Sequence, residues 1–182
     1  MKRAIPWLVT AALLVGAWLV ALVTPDDSAS VEPFIVPTTI GEKAVGRDFT
    51  VTVQDVTLAD KVEAAKGWNA EGTWLLVDLD AEANLEQYGM SFKGATLTIG
   101  DRSFRPSERM DSFFATSLVP GVSKSGTLVF ELPEDARSAT GLLQLSARED
   151  TRADSVAELE IDLGALTPVA DAEVRETDWT HP

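Results

Sequence analysis

The chain has 182 residues, 15 Lys+Arg against 29 Asp+Glu for a net charge of −14, one His and no Cys. A surface this acidic argues against nucleic-acid binding, which depends on Lys and Arg neutralising phosphates. Without Cys there is no disulfide, no thiol nucleophile and no thiolate metal site, and the one imidazole, His181, sits next to the C-terminus, far from any folded triad.

Lys2 and Arg3 precede an uncharged run, residues 4–24 (AIPWLVTAALLVGAWLVALVT). As a helix that run is about 31 Å long, which matches the roughly 30 Å hydrocarbon core of a bilayer. Pro6 falls in the first turn, where a missing N–H costs little, and Trp7 falls at the interfacial end. No Lys or Arg follows until Lys43, so Lys2 and Arg3 set the topology: N-terminus cytoplasmic, the rest outside. The run is longer than the apolar region of a cleaved signal peptide, and a signal anchor is the expected reading. Cleavage with Val15 and Ala17, or Ser28 and Ser30, at the small positions is the alternative and would release a secreted form.

Residues 25–44 read as a Pro-rich linker, with Pro25, Pro33 and Pro37, and Phe34-Ile35-Val36 within it as an edge strand. From Gly46 the pattern changes to period two. In DFTVTVQDVTL, Phe49, Val51 and Val53 share a face, and the later apolar positions Val56 and Leu58 require a bulge near Gln54-Asp55. Residues 59–71 are polar and read as a loop or a helical turn. In TWLLVDLDAE, Leu75, Val77, Leu79 and Ala81 form an apolar face opposite Trp74, Leu76, Asp78 and Asp80. ATLTI and Ser103–Arg105 flank a Gly100-Asp101 turn, as in a hairpin, and Pro120-Gly121 marks another turn. SGTLVFEL, GLLQLSA and AELEIDL complete the set, the last with Ala157, Leu159, Ile161 and Leu163 inward. Residues 166–182 are acidic and aperiodic and are expected to be disordered. About seven short strands without an amphipathic helix suggest an all-β antiparallel sandwich.

Few side chains suggest chemistry. Asp78 and Asp80 lie on one strand face, the arrangement of an acid–base or metal pair, but a solvated outer sheet face is by far the simpler reading. The acids between Glu149 and Asp154 lack the spacing and the Gly of a calcium loop. Ser123-Lys124-Ser125 reads as a polar turn. No catalytic, cofactor-binding or metal-binding residue is therefore assigned. Interaction anchors are better represented: Trp68 beside Gly67, Tyr88, and the pair Phe113-Phe114, of which an extended chain points only one toward the core.

The order VGRDFTVTVQDVTLAD, EGTWLLVDLDAEAN, ATLTIGDRSFRPS, LVPGVSKSGTLVFELPED and AELEIDLG resembles the telokin-like, immunoglobulin-like extracytoplasmic domain of Gram-positive bacteria. That family is catalogued as of unknown function and is similar in fold to a secreted mycobacterial immunogenic protein. WLLVDLDAEAN and PGVSKSGTLVFELP carry the resemblance most specifically, over about Val45 to Ala165. It implies an immunoglobulin-like sandwich and an accessory or ligand-presenting envelope role, with no catalytic residues.

The expected organisation is a cytoplasmic N-terminus (1–3), a transmembrane helix (4–24), the linker (25–44), an immunoglobulin-like β-sandwich (45–165) and a disordered tail (166–182). The expected function is non-enzymatic: a cell-membrane, single-pass protein whose extracellular domain contacts an envelope or membrane protein, as an accessory subunit of a membrane complex. It takes no cofactor and no nucleic acid. The alternative is a secreted sandwich that binds a small ligand, a cell-wall polymer or a cation.

Overall fold

The computed structural model describes residues 5–23, 32–84 and 90–180. The chain divides into two units, Met1–Glu32 and Pro33–Pro182.

In the first unit, helix α1 (Ile5–Val23) forms where the transmembrane segment is expected. It contains no charged residue, and Leu13, Leu14, Trp18 and Leu22 are all exposed on it. Among the described residues, however, no helix is long and apolar enough to cross a membrane. The ends of the expected run, and Lys2 and Arg3 before it, lie outside the described residues.

The second unit is a β-sandwich. Strands β1 (Phe34–Pro37), β2 (Lys43–Val45), β3 (Phe49–Ala64), β4 (Trp68–Ala83) and β5 (Met90–Ser91) come first. Then follow β6 (Gly94–Ile99), β7 (Arg102–Phe104), β8 (Ser117–Leu118), β9 (Lys124–Leu132) and β10 (Thr140–Ser146). The last are β11 (Ser155–Asp162), β12 (Ala172–Glu173) and β13 (Asp178–Trp179). One sheet runs β1-β11-β10-β6-β7 and the other β12-β3-β4-β9-β13, with β2 also paired to β3; β5 and β8 form a small ribbon. The long strands are those the alternating pattern marks. The strands beyond the expected seven are short pieces of two to four residues.

Between the sheets, Val51, Val53, Leu75, Val77, Leu79, Leu128 and Phe130 of one meet Leu97, Leu143, Leu145, Leu159 and Ile161 of the other. All are buried, and each such side chain contributes roughly 1.5–3 kcal/mol. The bulge expected near Gln54 is present as a register shift between Val53 and Asp55, and it keeps Val53 and Val56 both facing inward. A second shift, between Ala59 and Lys61, leaves Asp60 unpaired with β4; its N–H donates to the Val169 carbonyl instead (3.0 Å). Beyond it, Val62 faces the outer side of the sheet.

The stretch 59–71 is not a loop but mostly strand, with one 3-10 turn at Ala65–Gly67 where a helical turn is the other expectation. It is the far half of the β3–β4 hairpin, which turns at Lys66 and Gly67, both left-handed (φ 63° and 77°). The outer face of β4 is not a uniformly solvated polar face either. Trp74 and Leu76 are buried there with Ala59, Val62, Val129 and Val174 in a second apolar cluster.

The cover is the chain's C-terminal segment, which corrects the expectation of a disordered tail. β12 pairs parallel with β3, and β13 pairs antiparallel with β9. The segment thus caps both edges of its sheet and lays Val174 across the middle. Lys61 anchors its start through Asp171 (3.1 Å), and Arg175 anchors its centre through Asp78.

The expected edge strand at Phe34–Val36 is β1, which pairs parallel with β11, so the sandwich begins within the segment read as linker. Phe34 and Thr38 donate their N–H groups to Asp154 and Glu158 (2.8 and 2.9 Å). Alternation then points the backbone of residues 33, 35 and 37 away from the sheet. Pro33 and Pro37 have no N–H to offer, so among the described residues Ile35 is the one on that stretch of edge whose N–H points away from β11.

Candidate interaction surface

Trp68 opens β4 at the hairpin turn, where the left-handed Lys66-Gly67 pair reverses the chain and sets the indole on the sheet's outer side. It is half-buried. Its ring meets the buried Trp74 edge-on, with centroids 6.2 Å apart and an interplanar angle of 86°. The Arg109 guanidinium lies over both rings, 5.4 Å from the Trp68 centroid and 5.8 Å from that of Trp74. Its Nη1 donates to both carboxylate oxygens of Glu131, at 3.2 and 3.0 Å. Glu131 is the cross-strand neighbour of Trp74, so β9 supplies the carboxylate where β4 supplies the ring. Met110 packs beside them, and Lys66 pairs with Asp111 (3.2 Å).

This arrangement fixes a large aromatic ring at the end of the domain. The guanidinium is held by Glu131 and stacked on indole faces, which favours a cation. The Trp74 indole N–H is buried with no hydrogen-bond partner among the described residues. Arg109 and Glu131 escaped the sequence reading because they meet the tryptophans only through β4–β9 register and a loop; the alternation of WLLVDLD carries no signal for them.

The other expected anchors fall differently. Phe113 is fully buried and continues an edge-on ladder, Phe49 to Phe92 at 6.3 Å and Phe92 to Phe113 at 5.6 Å. It is a core residue, not a contact residue. Phe114 is half-buried and packs against the same core, so the structure does not bring either one to Trp68. Tyr88 lies outside the described residues. Asp78 and Asp80 do not act as a pair: Asp78 accepts from Thr127 Oγ1 and from Arg175 (3.1 Å), and Asp80 accepts from Gln54 (2.6 Å). Lys124 lies 4.4 Å from the centroid of the Trp179 ring, a cation–π contact. Among the described residues no three carboxylate or imidazole groups cluster to hold a metal.

Charge is otherwise spent on local pairing. Hydrogen bonds from Arg152 hold the Asp150 carboxyl at about 2, below its ordinary 3.8. Glu63 and Asp171 raise Lys61, and Asp48 with Asp154 raises Arg47.

Residues 38–154 match the family model described as "Domain of unknown function (DUF4352)". No curated protein matches the chain. Among solved structures, an uncharacterized β-sandwich protein from Clostridium difficile aligns with a TM-score of 0.52 at 11% identity, over 76% of this chain and 100% of its own. The yjhA protein from Bacillus subtilis aligns with a TM-score of 0.46 at 18% identity, over 66% of this chain and 98% of its own. The first supports the sandwich fold. Neither description names an immunoglobulin-like or telokin-like fold.

Proposed function

As the chain belongs to the DUF4352 family, whose name assigns no activity, we propose its role from its own residues: a membrane-tethered, non-enzymatic domain that docks a protein partner outside the cell. The uncharged run 4–24, of which helix α1 is the described part, is the observation that carries this reading. A helix with no charge and with apolar side chains exposed all round has no aqueous face, and lipid is the solvent that suits it. The described helix covers about 28 Å, and Ala4 and Thr24 extend the uncharged run to about 31 Å. Lys2 and Arg3 on one side orient it with the sandwich outside. The immunoglobulin-like designation belongs to the same proposal, supported by two facing sheets of mostly antiparallel strands.

The docking end is the Trp68–Arg109 surface. Trp and Arg dominate binding energy at interfaces, and both are held in place here before any partner arrives. An accessory subunit of a membrane complex is the form this takes.

The test uses the full chain with a C-terminal tag in its own cells. Carbonate-washed membranes retain it, protease added outside intact cells digests the sandwich, and crosslinking captures a near-stoichiometric membrane protein. Trp68→Ala and Arg109→Ala reduce that capture at least about fivefold while the fold is kept. Release of shortened protein into the medium overturns the tether. Capture that ignores both substitutions overturns the docking end.

A further inference from the structure

A second feature lies on the opposite sheet, away from Trp68. The outer face of β10 and β6 forms the floor of a cleft of about 310 Å³, walled by the segment after β7 and the loop after β10. Its floor is polar. Gln144 donates its Nε2 to Glu158 (2.7 Å), which leaves Oε1 to accept. The Ser146 hydroxyl donates to the Arg148 carbonyl (2.6 Å), which leaves its lone pairs. Thr96 Oγ1 makes no hydrogen bond among the described residues apart from anything a ligand would bring.

The walls carry an excess of positive charge. Lys93 is exposed and has no carboxylate partner among the described residues. Arg105 is paired with Glu149, but both side chains are more than half exposed (60% and 58%), so solvent screens that pair and a better-placed carboxylate can replace Glu149. Two cations, Lys93 and Arg105, thus flank a cleft whose carboxylates, Glu149 and the Glu158 bonded to Gln144, are each already engaged.

We propose that this cleft binds a hydroxylated carboxylate of monosaccharide size, a hexuronate. Its carboxylate sits between Lys93 Nζ and the Arg105 guanidinium, where charge-assisted hydrogen bonds are strongest. Its hydroxyls donate to Gln144 and Ser146 and bond with Thr96. The volume is at the low end of the roughly 300–1,000 Å³ range of ligand sites, the room one sugar ring takes.

The experiment titrates the full-length protein with glucuronate, glucose and acetate separately, read by saturation-transfer NMR. Glucuronate binds with a Kd of about 1 mM, the value expected for a ligand of that size. Glucose lacks the carboxylate and acetate lacks the hydroxyls, and each binds at least about tenfold more weakly. Lys93→Met and Arg105→Met each weaken glucuronate by about tenfold, whereas Lys43→Met, another exposed lysine, leaves it unchanged. Unchanged melting temperatures verify that the variants fold. Glucose or acetate binding as well as glucuronate overturns the proposal. So does glucuronate affinity that survives Lys93→Met, or no glucuronate binding at about ten times the expected Kd.

Discussion

Arg175 reaches Asp78 across 97 positions of sequence, with Nη2 donating to Oδ2 at 3.1 Å. The same carboxylate accepts from Thr127 Oγ1, and that hydroxyl oxygen accepts the Arg175 backbone N–H at 3.2 Å. The C-terminal segment is thus clamped to the centre of β4 and β9 by one closed network. Removing either charge leaves the other without its partner. Arg175→Met costs about 1 kcal/mol in urea melts, a modest figure because the arginine is half exposed. A double-mutant cycle with Asp78→Asn gives a coupling of about 0.5–1 kcal/mol, and strict additivity would show that the clamp contributes nothing.

Adjacent phenylalanines separate core from surface. Phe113 is fully buried against Phe92 and Gly126, where a Cβ on the glycine would lie 2.8 Å from the Phe113 ring. Phe114 is only half-buried. Phe113→Ala lowers stability by about 3–5 kcal/mol, and Phe114→Ala by about 1 kcal/mol. Equal effects in chemical denaturation would mean that the pair packs differently.

Gly94 is the one β6 position where a side chain has nowhere to go. A Cβ there would sit 1.8 Å from Ser146 Oγ and 2.4 Å from the Arg148 carbonyl. Gly94→Ala destabilises by about 3 kcal/mol. Adding Ser146→Ala recovers only part of that loss, because the backbone carbonyl remains. Full recovery in a thermal melt would assign the clash to the hydroxyl alone.

The Asp150–Arg152 pair makes a pH prediction of definite sign. The carboxyl is held at about 2 in the folded chain against an ordinary 3.8. A lowered value means the pairing is fully present above 3.8 and is lost as pH falls toward 2. Carboxyl carbon shifts place the Asp150 midpoint near 2, and Arg152→Gln returns it to the ordinary range. High salt moves it the same way, since both side chains are exposed. A midpoint near 3.8 in the unmodified chain contradicts the pairing.

Period-two alternation placed β4, β6, β9, β10 and β11 from sequence, and the change of phase after Val53 placed the first bulge. Those features arise from a single strand meeting a single core, and one strand's residues suffice to record them. The far half of the β3–β4 hairpin escaped because its apolar positions, Val62, Ala64, Trp68 and Ala70, are interleaved with Lys61, Glu63 and Lys66 across a second bulge. The C-terminal cover escaped for a different reason. Its strands are two residues long, too short for any period, and Val174 is a lone apolar residue whose partner surface lies a hundred positions away on β4. Trp68 was recognisable as an anchor by its composition beside Gly67. What holds it, Arg109 and Glu131, is a product of tertiary register.

The placing of that cover also sets an order of events. Ribosomes release a chain from its N-terminus, and the segment around Val174 that shields Trp74, Leu76 and Val129 emerges after the strands it covers. Until then the outer face of β4 and β9 is an open apolar surface on an otherwise finished hairpin. Folding therefore cannot complete during synthesis of the strands up to β11, and that apolar window stays open until β12 and β13 have been made. A nick or stop between β11 and β12 makes that window permanent, so β12 and β13 close a surface that the sandwich strands before them cannot close themselves.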